Sequence, residues 1–147
     1  MIDKKTSEID ELLSGIKPDQ LGEFYGNNSK YMANGEKAFY YYMKDVIESK
    51  NILLKDVYNR ANVTESYGEK IIRMEKHTKS RDLIITLCLA GHFTLEETNR
   101  ALKLYGMSQL YSKDKRDSAI IVAIINRIYL LPRVNEILKK QNLPELK

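Results

Sequence analysis

Apolar residues recur at spacings of three and four along almost the whole chain, and no stretch alternates apolar and polar residues as a half-buried strand does. The pattern predicts an all-α protein. A first helix is expected over 7–13, with Ile9, Leu12 and Leu13 as its apolar side, ending at Ser14-Gly15. Pro18 suits the first turn of a second helix that runs to about Phe24 and is closed by Gly26-Asn27-Asn28. Residues 29–35 are weakly patterned. A long helix follows over 36–48, with Phe39, Tyr42, Met43, Val46 and Ile47 on its inner side. The aromatic run Phe39-Tyr40-Tyr41-Tyr42 could stack on bases, but its helical periodicity favours core packing with one Tyr exposed. Ser80 can cap a helix over Arg81–Ala90, with Leu83, Ile84, Leu87 and Cys88 at core spacing. Thr94-Leu95-Glu96-Glu97 is a capping box for a helix running to Tyr105 and stopping at Gly106. Asp114 or Ser112 opens an apolar helix over 117–127, and Pro132 opens a last one to about Gln141.

The segment 54–74, LKDVYNRANVTESYGEKIIRM, carries the most information. It predicts a short helix, a tight turn and a second helix, the unit with which many regulators enter the DNA major groove. Val57, Ala61 and Val63 are spaced to pack the first helix and the turn inward. Asn62 sits where the turn needs a left-handed residue, which Asn tolerates. Thr64 can cap the following helix, whose buried side is expected from Ile71, Ile72 and Met74. Tyr58 and Gly68 fall where the two helices cross, a large residue facing a missing side chain. The outward positions are Glu65, Ser66, Glu69, Lys70 and Arg73. Ser66 and Lys70 can donate to base edges or phosphates, Arg73 can make a bidentate guanine contact, and a Glu can accept from cytosine N4. The same surface suits a protein partner, or a helix pair used only for packing.

The second half of the chain reads as a duplication. Arg81-Asp82 and Arg116-Asp117 lie 35 apart, and Leu95, Asn99, Leu102, Lys103 and Leu110 recur at 36 as Leu131, Asn135, Leu138, Lys139 and Leu146. Each copy is an apolar helix, a break, an amphipathic helix and a short tail ending in Leu. Such a pair cannot bury both faces alone, so the copies are expected to pack on each other and on the 54–74 unit. Convergence of two unrelated helix pairs is the alternative.

Composition narrows the function classes. At 147 residues the chain is one domain with room for a core, or one with an appendage. Its division is expected at an acidic helical extension, 1–37, and a body, 38–147. The net charge of +4 is uneven, about −2 over 1–37 and +6 over 38–147. Over 70–81 the cations Lys70, Arg73, Lys76, Lys79 and Arg81 face Glu75 alone, which is where phosphate contacts would fall beyond a reading helix; a solvated charged turn is the plainer account. The start, MIDKKTSEIDELL, lacks the apolar core of a signal peptide, and the longest apolar run, 119–125, is too short to cross a bilayer. One cysteine allows no internal disulfide. A soluble, cytoplasmic protein is expected.

Nothing in the sequence calls for catalysis, metal or cofactor. His77 and His92 stand apart from each other and form no zinc-ligand set, Cys88 lies on an apolar helix face, and Glu96-Glu97 is explained by capping. There is no Gly-rich phosphate loop and no nucleophile elbow. The first helix sets Asp3, Glu8, Asp10 and Glu11 beside Ile9, Leu12 and Leu13, and can dock on the body, join two subunits or seat in a partner's groove.

Across 38–147 the chain resembles a Firmicute-type branch of the Xre, or lambda-repressor-like, helix–turn–helix family. The residues that carry this are Asp56-Val57, Ala61-Asn62-Val63-Thr64, Ser66-Tyr67-Gly68, Lys70-Ile71 and Thr78-Lys79-Ser80-Arg81-Asp82. Phe93-Thr94-Leu95-Glu96-Glu97-Thr98, Ala101-Leu102-Lys103-Leu104-Tyr105-Gly106, Leu110-Tyr111 and Lys115-Arg116-Asp117 continue it. The resemblance implies a bundle of about five helices, double-stranded DNA as partner and a homodimer on a two-fold operator. Carried over by position, it sets Glu65, Ser66, Glu69 and Lys70 on base-reading sites. The expectation is therefore a lambda-repressor-like bundle with a C-terminal pair of helical hairpins and an N-terminal helical extension. Base reading is expected from Glu65, Ser66, Glu69, Lys70 and Arg73, and phosphate contact from Lys55, Thr64, Lys76 and Lys79. The alternative is a protein-interaction adaptor that keeps the scaffold, with residues 1–37 as a partner site.

Overall fold

Every described element is helical in the computed structural model, which describes residues 6–29, 32 and 37–147. Asp3 and Glu36, placed above on the first and the long helix, lie outside the described residues, as does most of 29–35. The helices are α1 (Thr6–Ser14), α2 (Leu21–Asn28), α3 (Ala38–Ser49), α4 (Leu54–Arg60), α5 (Glu65–Ile72), α6 (Arg81–Ala90), α7 (Leu95–Leu104), α8 (Lys115–Ile125) and α9 (Leu131–Lys140), with a 3₁₀ turn at Pro18–Gln20 before α2. None is long and apolar enough to cross a membrane.

Three helical hairpins, α4/α5, α6/α7 and α8/α9, make up the body. Helix α6 is its axis. All eight residues from Leu83 to Ala90 are buried, all apolar but Thr86, so this helix is surrounded on every side. Helices α4, α7 and α9 pack around it, α8 packs on α7, and α3 lies across α5 and α7. Phe39, Met43 and Ile47 of α3, Val57 of α4, Ile71 and Ile72 of α5, and Leu102, Ile120, Val134 and Leu138 from the later hairpins close one continuous core. Cys88 is at its centre, where burial pushes its thiol pKa far up and leaves it a small apolar filler.

Local chemistry sets most of the helix boundaries. Thr64, Ser80, Thr94 and Asp114 each accept a hydrogen bond from the backbone N–H three residues on, and Glu97 returns the bond to the Thr94 amide. At the other ends, Asn51, Asn62, Met74, His92, Gly106, Arg127 and Asn142 take left-handed backbone, and the next amide reaches back five residues, as Val63 N–H does to Tyr58 O and Ile128 N–H to Ala123 O. Three expected boundaries move for this reason or a related one. The apolar helix expected over 117–127 is α8, which starts after the Asp114 cap and ends at Ile125, with Arg127 in the closing turn. The helix after Thr64 ends at Ile72 because Met74 has φ 63°. Helix α2 continues through Gly26 and Asn27, since the buried Asn28 side chain donates to Phe24 O at 3.0 Å. Of the aromatic run, Phe39 and Tyr42 are buried and Tyr41 is the exposed one.

The stretches 81–110 and 116–146 make matching bonds. Asn99 Oδ1 accepts from Leu110 N–H, and Asn135 Oδ1 from Leu146 N–H. Arg81 donates to Ser108 O and Gln109 O, while Arg116 donates to Pro144 O and Glu145 O. The ion pairs cross between copies: Arg81 makes a bidentate contact with Asp117 at 2.8–2.9 Å, and Arg116 with Asp82 at 2.8 Å. Helix α1 is different. Leu12 and Leu13 are 42% and 40% exposed, so these two residues are not docked on the described body, one of the three roles open to this helix.

Candidate nucleic-acid interface

Helices α4 and α5 are joined by residues 61–64, with Val57 and Ala61 buried, Val63 half-buried and Asn62 at φ 59°. They cross at Tyr58 and Gly68. A Cβ built on Gly68 would stand 2.4 Å from Tyr58 Cδ1, so the missing side chain is what lets the ring lie flat between the helices. Glycine here is a packing requirement.

This seating turns Gly68, Ile71 and Ile72 inward and leaves Glu65, Ser66, Glu69, Lys70 and Arg73 all exposed. At about 100° per residue, Ser66, Lys70 and Arg73 point farthest from the buried side. Glu65 and Glu69 flank that ridge and turn towards α3 and α4. There they line a groove of about 260 Å³ with Tyr40, Lys44, Lys55, Tyr58 and Arg73. Burial, then the charges of Glu69 and Glu65, push the Tyr58 phenol up to about 12. Of the five expected reading residues, Ser66, Lys70 and Arg73 form the outward ridge, with Arg73 at the edge of the groove, and Glu65 and Glu69 form its acidic flank.

Arg73 is partly engaged. Its guanidinium is 3.4 Å from Glu69 Oε1 and 3.9 Å from Glu75 Oε1, and lies 5.8 Å from the Tyr40 ring centroid. Its carbonyl accepts from Lys37 Nζ at 3.3 Å. Ser66 and Lys70 have no such partner among the described residues. The loop after α5 is held in shape: Glu75 and Lys76 amides both bond Lys70 O, His77 stacks on Tyr105 at 4.8 Å, and Thr78 N–H donates to the Tyr105 hydroxyl at 2.8 Å. It carries Lys76, whose ammonium sits 5.3 Å from the Tyr67 ring, and Lys79, both exposed. Lys55 and Thr64 are also exposed, and the Thr64 oxygen is occupied in accepting the Tyr67 amide while its O–H can still donate.

Tyr40 and Tyr67, which hold Arg73 and Lys76, were not singled out by the sequence. Periodicity marks Tyr40 only as one of a core run, and its ring reaches α5 because α3 crosses it. The geometry offers exposed donors and cations along α5 and the loop after it. A scan of protein-family models, a search of curated proteins and a search of solved structures found no match to this chain.

Proposed function

We propose that the chain is a sequence-specific, double-stranded-DNA-binding regulator of the helix–turn–helix, lambda-repressor-like kind, acting in the cytoplasm as a homodimer. The observation that carries the proposal is the outward trio Ser66, Lys70 and Arg73 on a helix capped by Thr64, continued by the ordered basic loop with Lys76 and Lys79. Ser66, Lys70 and Arg73 read base edges; Lys55, Thr64, Lys76 and Lys79 contact phosphates. Glu65 and Glu69 sit to the side, near Lys44, Lys55 and Arg73, so their repulsion of phosphate is offset locally. They can still accept from cytosine.

The first test is selection of fragmented host genomic DNA by the full-length protein at near-physiological salt, with sequencing of what is retained. Enrichment of a short inverted repeat is the expected result. On that site, Lys70→Ala should lose about tenfold in affinity and relax base preference, as loss of a base contact does. Lys79→Ala should weaken all DNA alike and lower the salt slope by about one. Equal effects of the two on random DNA would mean α5 has no reading face.

A second proposal, a protein-interaction adaptor, draws on α1. Glu8, Asp10 and Glu11 accompany the exposed Leu12 and Leu13, a surface suited to a partner's groove. Recovery of one stoichiometric protein partner that is lost with Leu12→Asp, together with no DNA retention, would favour it.

A further inference from the structure

The C-terminal ends of α4 and α6 meet the turn between α8 and α9, because α4 and α9 both pack on α6. At this end a pocket of about 370 Å³ opens, with Leu89, Ile128, Leu131 and Pro132 as its apolar lining. Its polar side chains are Arg60, His92, Tyr129, Arg127 and Arg133, without one carboxylate. Arg60 is steadied by a bond from Nη1 to Ala90 O at 3.4 Å, and His92 stacks on Tyr129 at 4.6 Å. Arg73, Arg81 and Arg116 elsewhere in the chain all have acidic partners within 4.0 Å, whereas Arg60, Arg127 and Arg133 have none among the described residues.

Two of these cations are held where the fold alone disfavours them. Arg127 occupies left-handed backbone, φ 56°, at a position that Gly or Asn fills more cheaply. Arg133 stands in the first turn of α9, against the positive end of the helix dipole, and that turn has neither an acidic residue nor a side-chain cap. Burial, then the charges of Arg60 and Lys50, lower the His92 pKa, as expected beside concentrated positive charge. An anion would offset the two electrostatic costs, the cation at the start of α9 and the charge gathered around His92. Guanidinium groups around a concave site match the geometry of phosphate oxygens, and the volume is that of a small-ligand site rather than of a single ion.

We propose that Arg60, Arg127 and Arg133, with His92 and Tyr129, form a phosphate-binding pocket that takes the phosphoryl group of a free phosphorylated small molecule or of the DNA backbone. The pocket itself does not depend on the DNA-binding proposal; only its second source does.

The test is thermal unfolding of the full chain in rising inorganic phosphate or pyrophosphate, with chloride at matched ionic strength as control. The same protein is titrated with a mixed-sequence duplex across a salt series. The comparison variant is Arg127→Gly/Arg133→Gln, and Arg127→Gly alone, which relaxes the backbone, serves if the double variant fails to melt cooperatively. A melting temperature that rises saturably with pyrophosphate in the wild type and not in the variant supports a pocket for free phosphorylated ligands. A salt slope that is lower by about one in the variant assigns the pocket to backbone phosphate. Wild type and variant behaving alike in both arms overturns the proposal. Saturation by pyrophosphate without any duplex binding leaves the pocket standing and removes the DNA-binding function.

Discussion

Gly68→Val is expected to destabilise the fold by about 3 kcal/mol, the upper part of the range for overpacking a closed core site. The new Cβ alone would lie 2.4, 2.9 and 3.0 Å from Cδ1, Cε1 and Cγ of Tyr58. Those atoms belong to the inner part of a ring that is only 4% exposed, so they cannot swing aside as the tip of a flexible side chain would. Relief requires α4 and α5 to separate, which opens the contacts of Val57, Ile71 and Ile72. Gly68→Ala brings the same Cβ and gains about 1 kcal/mol of helix propensity, so its net loss should be smaller. Pairing Gly68→Ala with Tyr58→Leu should recover stability, with a coupling of about 0.5–3 kcal/mol in a double-mutant cycle. Urea unfolding read as a midpoint at constant slope measures Gly68→Val and the four species of the cycle, Tyr58→Leu alone included. An unchanged or raised midpoint for Gly68→Val would mean that the two helices are not locked at this crossing.

The Tyr58–Gly68 exchange was legible in the sequence because both residues fall on one predictable crossing. The same holds for the caps at Thr64, Ser80 and Thr94, whose signals span four residues; between Asp114 and Ser112, which the pattern leaves open, the cap is Asp114. Helix ends were read less well. Met74, His92 and Arg127 close helices in left-handed backbone without the Gly or Asn that would announce it, so the helix expected to reach Arg127 stops two residues earlier. The outward direction of Ser66 and Lys70 follows from helical periodicity. The flanking position of Glu65 and Glu69 follows from it too; the groove they line and the hold of Tyr40 on Arg73 do not, because they depend on where α3 lies across α5, which no local pattern encodes. The basic pocket was invisible for the same reason. Arg60, His92, Arg127 and Arg133 are spread over three hairpins, and only their packing on α6 brings them to one end.

The repeat of Arg-Asp at 81–82 and 116–117 was plain, but that the pairs cross between copies was not, and the crossing sets the largest electrostatic effect expected here. Asp117→Ala should destabilise by about 2–4 kcal/mol, somewhat below the usual cost of breaking a fully buried pair because Arg81 keeps 26% exposure. Asp117 is buried, accepts both Arg81 contacts and the Tyr111 N–H at 2.9 Å, and Arg81 in turn holds the carbonyls of Ser108 and Gln109. Its loss therefore strands a guanidinium and loosens the 108–111 tail. Asp82→Ala should cost less, about 1–2 kcal/mol, since its carboxylate is 25% exposed. The acid limb gives an independent measurement. Burial pushes the Asp117 carboxyl up, but the Arg81 hydrogen bonds, the Tyr111 amide and the Arg81 and Arg116 charges outweigh it, and its pKa is lowered. The Arg116 hydrogen bond lowers that of Asp82 against its own burial. With folded values below the unfolded one of about 3.9, both carboxylates stabilise the fold fully above that pH and lose their contribution as pH falls below it. Stability against pH should accordingly fall more gently below about pH 4 in Asp117→Ala than in the wild type. Identical acid limbs, or a loss under about 1 kcal/mol at neutral pH, would reduce the crossed pairs to ordinary surface ion pairs. The hairpins α6/α7 and α8/α9 would then be joined by their apolar core alone.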